Sequence, residues 1–463
     1  MRRILSAWCW VALCASLSAH AAELPAAPRE HPGLLALGTA PSEAELRATI
    51  TALVGFGTRH TLSDTKSATR GIGAARRWVQ ARFAAISHDC GGCLEVVTPA
   101  QTFTGKRIPQ PTEVVDVVAI KRGSTDPQRV IVITGHLDSR VSDVMNARSD
   151  APGANDDASG VAALIEAARL LSKQDNRATL VFAALSGEEQ GLYGGKLLAD
   201  YAVAHGWQVE AALNNDIVGN SRGENGAIDN TVVRVFSEGT KSNETPAQAA
   251  YRRYHGGEVD SPSRNLARTM AQLADRYLPD FRVRMVYRTD RYGRGGDQVP
   301  FIEAGYPAVR VTEAHEDYTH QHQDLRTQDG VRYGDTIAGI DFRYLARVTA
   351  LNAITMAALS RAPAPPGGVG IHGALATDTT LDWRKVPGAA GYRVHWRDTT
   401  APQWQHARAV GDIDHAVLKD VVIDDGFFGV SSVSADGYES PVVFPGDAGS
   451  FERSPPTGAD DKR

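Results

Sequence analysis

The sequence predicts an α/β protein, in which a mostly parallel sheet carries helices on both faces and a small C-terminal all-β sandwich follows. Short apolar, β-branched runs alternate with helical patterns from about residue 114 to residue 360, which is typical of parallel strands joined by helical crossovers. The composition then changes at a proline-rich segment. Because 463 residues are many for one ordinary domain, we expect two or more domains.

The first residues of the chain have the pattern of a secretory signal. Two arginines precede an apolar stretch at residues 4–17, and Ala-His-Ala at residues 19–21 is a small-x-small cleavage site. The apolar stretch is short for a membrane span, so we predict a signal peptide at residues 1–21, with an uncleaved anchor as the alternative. The expected location is secreted or periplasmic, with no membrane span after cleavage.

Two cysteines remain after removal of this signal, Cys90 and Cys93 in Cys-Gly-Gly-Cys. Outside the cytosol, this spacing predicts a local disulfide across the Gly-Gly turn. A zinc site would need further ligands of the same type, and the sequence has no second cysteine pair.

The first domain is predicted to span residues 22–360, with its core at about 110–355. Strands are predicted from apolar β-branched runs, and helices from apolar residues that recur every three or four positions. The predicted strands lie at 130–134, 180–185, 211–213, 231–236, 283–287 and 308–311. The predicted helices lie at 41–54, at 71–86, from about 159 onward, at 191–204, at 263–277 and at 336–359.

The second domain follows residues 361–369, which are predicted to be a stiff linker without a packing surface. Residues 370–447 contain short alternating strands, including one that ends at Trp383, one that ends at Trp396, and others at 427–433 and 441–444. The Leu-x-Trp and Tyr-x-Val-x-Trp strands resemble a fibronectin type III domain, a β-sandwich that we expect to offer a surface or carbohydrate contact. Residues 448–463 are predicted to be a disordered tail.

The charge balance excludes one class of partner. Lys and Arg number 49 and Asp and Glu number 54, so the net charge is −5, and no basic run is present. Because a mildly acidic chain of this kind binds nucleic acid poorly, we expect no nucleic-acid partner.

Acidic and imidazole side chains cluster directly after the predicted strands. Because the carboxyl ends of parallel strands meet at one edge of a sheet, five such groups are expected to converge there. Their mixed nitrogen and oxygen donors suit zinc or a similar divalent ion, and one carboxylate can bridge two ions ~3.5–4 Å apart. The groups are His136 with Asp138, Asp156 with Asp157, Glu188 with Glu189, Asp216, and His320 with His322 and Asp324.

Two other motifs compete with this hypothesis. His315-Glu316 begins like the helical zinc motif His-Glu-x-x-His, but Thr319 stands where the second histidine is needed. Residues 219–223 match the Gly-x-Ser-x-Gly nucleophile elbow, yet a loop and not a helix is predicted after them. A nucleophilic Ser221 is therefore the minor alternative.

Four motifs occur in the order and spacing of metallopeptidase family 28, the two-zinc aminopeptidase family. They are Gly-His-Leu-Asp-Ser, Gly-Ala-Asn-Asp-Asp-Ala-Ser-Gly, Glu-Glu-Gln-Gly-Leu-Tyr-Gly and Asn-Asn-Asp-Ile-Val-Gly. On these motifs the chain resembles that family over roughly residues 110–355. The resemblance implies a zinc aminopeptidase-like fold and two zinc ions per chain.

The resemblance also implies roles for single residues. Glu188 is implied as the general base, and Asp156 as the carboxylate that bridges both metals. The last motif departs from the family pattern Tyr-His-Thr-x-x-Asp, because Thr and not His follows Tyr318. Counting back from Asp324 selects a ligand at residue 320, with His322 as the alternative. The implied metal ligands are His136, Asp156, Glu189, Asp216 and His320.

Three further positions are tied to these residues. Asp138 is expected to accept the other ring N–H of His136 and so to fix its tautomer. Asp297 resembles a family position that supports the ligands, and a plain turn residue is an equal alternative. Gly195 stands where the family commonly has serine.

Together these patterns predict a secreted di-zinc exopeptidase. We expect an aminopeptidase that removes N-terminal residues from peptide substrates, with a metal-activated water and a glutamate base. A carboxypeptidase or small amidase on the same site is the first alternative, because the metal motifs do not report which peptide end binds. A non-catalytic extracellular binding protein is the second, and the presence of Glu188 with a full ligand set argues against it.

Overall fold

A large mixed sheet runs through the first domain of the computed structural model, which describes residues 31–453. The predicted signal peptide at residues 1–21 and residues 454–463 of the predicted tail lie outside this range. The described chain contains eighteen strands and ten α-helices. The strands are β1 (Glu95–Val97), β2 (Ala100–Gly105), β3 (Ile108–Val115), β4 (Val117–Lys121), β5 (Asp126–His136), β6 (Ala178–Leu185), β7 (Gln208–Asn215), β8 (Val232–Phe236), β9 (Arg282–Val286), β10 (Ala308–Glu313), β11 (Arg326–Gln328), β12 (Val331–Tyr333), β13 (Gly367–His372), β14 (Thr379–Arg384), β15 (Gly391–Asp398), β16 (His406–Gly411), β17 (His415–Leu418) and β18 (Gly426–Val433). The helices are α1 (Pro32–Leu37), α2 (Glu43–Gly55), α3 (Gly71–Asp89), α4 (Ala158–Leu171), α5 (Glu188–Gly191), α6 (Tyr193–Ala204), α7 (Pro246–His255), α8 (Pro262–Tyr277), α9 (Gln298–Glu303) and α10 (Phe342–Arg361).

The main sheet has eight strands in the order β1-β4-β6-β5-β7-β10-β8-β9. Its central strands β6, β5, β7 and β10 pair in parallel, whereas β4 and β8 join this block in antiparallel fashion. The four central strands therefore end at the same edge, where ligands collect in open α/β sheets. This architecture confirms the predicted fold class.

Both faces of the sheet are covered by helices, as predicted. Successive side chains of a strand point to opposite faces, and the centre of β5 follows this rule. Ile131 and Ile133 pack into the core beneath α2, α3, α4, α8 and α10. Val130 and Val132 pack into the smaller core beneath α6 and α9. The apolar runs of the central strands are continuous because each strand is buried on both sides.

Close packing at two glycines brings the start of α4 against the strand ends. A Cβ at Gly160 would lie 2.3 Å from the carbonyl oxygen of Asn215, and one at Gly135 would lie 2.6 Å from the carbonyl carbon of Gly160. Only glycine permits this approach. The consequence is that the loop before α4, which carries Asp156, reaches the edge where β5 and β7 end.

The C-terminal part consists of two three-stranded antiparallel sheets, ordered β13-β14-β17 and β16-β15-β18. Their inward side chains, among them Trp383, Tyr392 and Phe428, form one core. The expected strand at residues 441–444 is reduced to a single bridge between Val430 and Val443. The fibronectin type III assignment stays a prediction.

The predicted linker is packed against the first domain. Helix α10 ends at Arg361 and β13 begins at Gly367, and Ala362 between them is fully buried. The carbonyl oxygen of Ala362 accepts a 2.6 Å hydrogen bond from Nη2 of Arg129. Residues 361–369 are therefore not the spacer without a packing surface that the sequence predicts.

Other local predictions have mixed outcomes. Cys90 and Cys93 form the predicted disulfide directly after α3. The first six residues of the predicted disordered tail, 448–453, are described and make contacts, since Phe451 packs against the C-terminal core and Nε of Arg453 donates to the carbonyl oxygen of Ala304. The hairpin of β2 and β3 and the helix α7 were not expected. Among residues 31–453, no helix is long and apolar enough to cross a bilayer.

A buried charge cluster joins the two parts. The carboxylate of Asp260 accepts from Nη1 of Arg268 at 2.7 Å and from Nη2 of Arg397, which lies on β15, at 2.9 Å. All three side chains are at most 1% exposed. The rings of Trp404 and Phe427 lie 5.3 Å and 4.7 Å from the Arg397 guanidinium. Asp260 is thus the carboxylate that pairs with two buried cations at the boundary.

We expect Asp260→Asn to destabilise the protein by about 3–5 kcal/mol, because removing one partner of a buried ion pair leaves the remaining charge uncompensated. Urea unfolding followed by tryptophan fluorescence measures the loss. The matched control is Asp382→Asn, which removes a carboxylate from an exposed pair with His372 in the C-terminal part. A loss for Asp260→Asn no larger than that of the control would contradict the assigned role.

Candidate metal centre

The ends of three parallel strands carry the predicted site residues. His136 is the last residue of β5, Asp216 directly follows β7, and Glu188 opens α5 three residues after the end of β6. Asp156 lies in the loop just before α4. These side chains meet because the strands run in parallel and end at one edge.

The first cluster consists of His136, Glu188 and Asp216, whose candidate ligand atoms all lie within 4.8 Å of one another. Nε2 of His136 lies 3.8 Å from Oδ1 of Asp216 and 3.0 Å from Oδ1 of Asp156. His136 and Asp216 are almost fully buried, and Glu188 is partly exposed to a cavity.

The second cluster consists of Asp156, Glu189 and His322. Nε2 of His322 lies 2.9 Å from Oδ2 of Asp156 and 3.0 Å from Oε1 of Glu189. Asp156 therefore turns one carboxylate oxygen to each cluster. This is the arrangement that a bridging carboxylate needs.

The structure brings His322, and not His320, to this cluster. Residues 317–321 form a tight turn in which the N–H groups of His320 and Gln321 both donate to the carbonyl oxygen of Asp317. His322 then has a φ of 56°, in the left-handed region, which redirects the chain. Counting back from Asp324 cannot detect such a turn, and the geometry favours the alternative, His322, over His320.

The His320 ring points elsewhere. Its Nδ1 lies 3.6 Å from Oδ2 of Asp317, and its side chain is 32% exposed. It also faces Gly339, where a Cβ would lie 3.1 Å from Nδ1. His320 thus packs in a neighbouring loop, outside both clusters.

The donor atoms of the second cluster fit a metal ion. Oε1 of Glu189 is buried and has no hydrogen-bond donor among the described residues, although a buried carboxylate oxygen is costly without a partner. Nη2 of Arg140 lies 2.6 Å from Nδ1 of His322. Nε2 is the ring nitrogen of His322 that faces the two carboxylates. A cation held between these atoms would give Oε1 of Glu189 its missing partner.

The charges of the two clusters shift several pKa values. Burial lowers the pKa of His322, but Glu189 and Asp156 outweigh it and raise that pKa to about 10. Burial raises the pKa of Asp156, but His322 and His136 outweigh it and hold that pKa well below its usual range. A set of anionic oxygens and imidazole nitrogens held this close together suits zinc.

Asp138 has a different partner from the one expected. Nδ1 of His136 lies 3.1 Å from the backbone carbonyl oxygen of Asp138 and 3.7 Å from its carboxylate. The tautomer of His136 is therefore set by a backbone carbonyl, which leaves Nε2 free to face Asp156. The Asp138 carboxylate instead accepts the N–H groups of residues 187, 188 and 189 at 3.0, 3.3 and 3.2 Å.

Two further buried carboxylates hold the backbone around the clusters. Asp157 accepts the N–H of His136 at 2.9 Å and the N–H of Gly160 at 3.0 Å. Asp335 accepts the N–H of Asp156 at 2.7 Å and that of Asn155 at 2.9 Å. Sequence reasoning missed Asp335, because nothing in the local pattern of residues 331–335 links it to a loop 180 positions earlier.

Arg310 was also missed. It lies on β10, is fully buried, and its Nη1 donates to Oδ2 of Asp216 at 2.5 Å. The sequence predicts this strand as an apolar run, and the arginine interrupts that run at the position that faces Asp216. Its charge holds Asp216 in the ionised form, whose pKa lies below its usual value although burial opposes this.

Asp297 is buried and is not a plain exposed turn residue. Its Oδ1 accepts the N–H of Gly195 at 3.2 Å, and its Oδ2 has no hydrogen-bond partner among the described residues. Burial raises its pKa to about 7. A Cβ at Gly195 would lie 2.6 Å from Oδ1 of Asp297, so the glycine makes room for this carboxylate. Asp297 belongs to neither cluster.

Ser221 lacks the surroundings of a nucleophile. Its Oγ donates at 2.7 Å to Oδ2 of Asp341, the residue that caps the N-terminus of α10. No helix follows Ser221, and the chain continues through a turn to a bridge between Arg222 and Ile228. The hydrogen bond between Ser221 and Asp341 holds the loop after β7 against the N-terminus of α10, which is a structural role.

Comparison with known proteins adds to this geometry. Residues 116–329 match the family described as peptidase family M28. A probable zinc metalloprotease of Leptosphaeria maculans is 47% identical over 408 residues, which cover 87% of this chain and 94% of that protein. A probable zinc metalloprotease of Pyrenophora tritici-repentis is 45% identical over 410 residues, covering 87% and 85%.

Solved structures share the fold. LapB from Legionella pneumophila has a TM-score of 0.51 and 18% identity, covering 72% of this chain and 76% of that one. LapA from the same organism has the same score and identity, covering 72% and 78%. At such identity, the likeness concerns the fold alone.

We expect His322→Ala to bind one zinc ion fewer than the unaltered protein, because it removes a candidate ligand from the second cluster only. His320→Ala is the matched control and should keep both ions, since its ring lies outside the clusters. Inductively coupled plasma analysis of dialysed protein gives the stoichiometry. If His320→Ala loses zinc and His322→Ala does not, the placement of the last ligand is refuted.

Proposed function

The chain belongs to peptidase family M28, and from this premise we propose that it is a zinc-dependent exopeptidase that removes N-terminal residues from peptides. The observation that carries the proposal is the pair of clusters that share Asp156, at the wall of a cavity of about 300 Å³. Two histidines and three carboxylates, one of which turns an oxygen to each cluster, suit a two-metal hydrolytic site. The zinc metalloprotease relatives support the choice of metal.

Five side chains would hold the ions. His136 and Asp216 would bind one ion, Glu189 and His322 the other, and Asp156 both. When bound, the ions supply Lewis acidity, which lowers the pKa of a water and polarises the scissile carbonyl. The protein contribution is a rigid set of donors whose backbone is held by buried carboxylates.

Glu188 is the proposed general base. It borders the cavity and is partly exposed, whereas its neighbour Glu189 is buried and points its Oε1 at His322. With Asp156 supplying a carboxylate to the first cluster, Glu188 remains available to take a proton from the attacking water. It would then pass that proton to the leaving amine. The Asp138 carboxylate accepts the backbone N–H of Glu188 and so fixes the backbone position from which the Glu188 side chain extends.

A carboxypeptidase on the same site is the second candidate. Four arginines border the cavity, namely Arg107, Arg140, Arg291 and Arg294. A cationic wall favours a substrate carboxylate, and a free C-terminus is one source of that group. The sequence resemblance to a family of aminopeptidases favours the N-terminal choice.

We also propose that the protein is exported. The proposal rests on the leader-like residues 1–21 and on the disulfide between Cys90 and Cys93, since such bonds persist in oxidising compartments.

We expect the purified protein to hydrolyse leucine amide and to leave N-acetyl-leucine amide intact, because an aminopeptidase requires a free N-terminus. Release of leucine or of N-acetyl-leucine is measured by chromatography, and chelation followed by zinc addition should abolish and restore the release of leucine. Equal cleavage of both amides would contradict recognition of the N-terminus. Cleavage only of an N-blocked peptide with a free C-terminus would establish the carboxypeptidase instead.

We expect Glu188→Gln to keep two zinc ions and to lower kcat by about 10²–10⁴-fold, because the general base is lost while the ligands remain. The adjacent Glu189→Gln is the matched comparison and should lose zinc, since it removes a charged ligand. Steady-state kinetics and metal analysis on the same samples separate the two effects. Wild-type turnover in zinc-loaded Glu188→Gln protein would remove the assigned base.

A further inference from the structure

We propose that the cavity beside the two clusters binds a carboxylate of the substrate, next to the scissile bond, through Arg107 and Arg294. This inference deepens the proposed exopeptidase function and rests on it. It assigns a substrate class, peptides with an anionic group at or beside the terminal residue.

Arg107 and Arg294 differ from the other arginines of the cavity in having unused donors. Nη1 of Arg107 donates to the carbonyl oxygen of Glu189 at 2.8 Å, and Arg107 forms no ion pair with a carboxylate of the described residues. Nη1 of Arg294 is shared between Oε2 of Glu316 and Oε1 of Gln321, both at 3.3 Å. Nε and Nη2 of both guanidiniums have no hydrogen-bond acceptor among residues 31–453.

The other two arginines are committed to the protein. Nε of Arg140 donates to Glu189 at 2.8 Å and its Nη2 contacts His322. Nε of Arg291 donates to Asp290 at 3.1 Å and its Nη1 to Glu316 at 3.4 Å. They stabilise the walls and add positive charge, but they offer a substrate fewer free N–H groups.

The two proposed arginines are held at the cavity by different segments. Arg107 lies in the turn between β2 and β3, and this hairpin is held on α6 by ring contact between Phe103 and Tyr193, whose centroids are 4.7 Å apart. Arg294 lies in the loop between β9 and α9. A ligand in the cavity therefore has guanidinium groups within reach from two loops, which is the way in which arginine forks bind carboxylates.

The rest of the wall offers little to an apolar side chain. Among the residues that line the cavity, Leu192 is the one with an apolar side chain beyond glycine. Three glycines, at 191, 293 and 295, also line the cavity and add no side chain to it. The four carboxylates of the wall belong to the proposed metal site, and two divalent ions would offset their charge. The arginines then leave a positive surface that favours an anionic substrate.

Two matched substrate pairs test the proposal and separate its two sources of carboxylate. Glutamyl-p-nitroanilide against glutaminyl-p-nitroanilide places the carboxylate on the residue that is removed. Leucyl-glycine against leucyl-glycine amide places it on the leaving group. In the pair that matches the true source, the acidic member should have a higher kcat/KM by about 10- to 100-fold, the value of one charge-assisted hydrogen bond. Equal kcat/KM in both pairs overturns the proposal.

The double variant with Arg107→Gln and Arg294→Gln should remove this preference. We expect KM for the acidic member to rise by about 10- to 100-fold, with the neutral member changed by less than about threefold. Arg332→Gln, an exposed arginine on β12 outside the cavity, is the matched control. An equal loss on acidic and neutral members would show that Arg107 acts only on Glu189 through its carbonyl group, which overturns carboxylate recognition.

A binding measurement separates this inference from the proposed activity. Calorimetric titration of zinc-loaded Glu188→Gln protein with the acidic and neutral members should show tighter binding of the acidic one, and the double arginine substitution should abolish that difference. If wild-type protein hydrolyses no peptide amide, the exopeptidase proposal fails, while the calorimetric difference still decides carboxylate binding. Absence of that difference overturns the inference whatever the activity.

Discussion

Three buried carboxylates that face the backbone underlie the whole site. Asp138, Asp157 and Asp335 accept N–H groups from the segments that carry Glu188, His136 and Asp156. A carboxylate buried away from water is costly unless donors satisfy it, so each of these groups fixes the segment whose N–H groups it needs. The backbone that carries the clustered side chains therefore cannot shift without leaving a buried carboxyl group without its hydrogen-bond donors. That constraint explains how six polar groups can converge at a sheet edge with little exposure.

Much of the fold followed from the sequence because its main signals are local. The central strands are continuous apolar runs, since each is covered on both faces, and the helices repeat at their own period. The hairpin of β2 and β3 was not predicted, because its strands are exposed, are rich in Thr, Gln and Pro, and lack the apolar alternation typical of strands. The packing of the linker against the first domain was not predicted, because a Pro-rich composition indicates local stiffness but not which segments contact it.

The candidate site also contains residues that the sequence could predict and residues that it could not. His136, Asp156, Glu188, Glu189 and Asp216 could be predicted to meet because parallel strands place their ends together. His322, and not His320, lies in the second cluster. The turn before it and its left-handed backbone change the direction of the chain, which residue spacing in the sequence does not reveal. Asp335, Arg310 and Arg107 act through contacts between distant segments, and no periodicity marks such contacts in one sequence. The Asp138 carboxylate was found as part of the site, but its partners were backbone groups that a motif does not specify.

The hairpin of β2 and β3, which carries Arg107, lines the cavity but places no side chain in either cluster. It reaches the site through one hydrogen bond to the carbonyl oxygen of Glu189 and through the contact of Phe103 with Tyr193. Lengthening, trimming or recharging its tip would change the wall of the cavity, while the side chains of the two clusters stay untouched. The wall of the cavity and the two clusters are therefore built from separate segments: an exposed two-stranded loop can vary in length and charge without altering the side chains at the ends of the parallel strands.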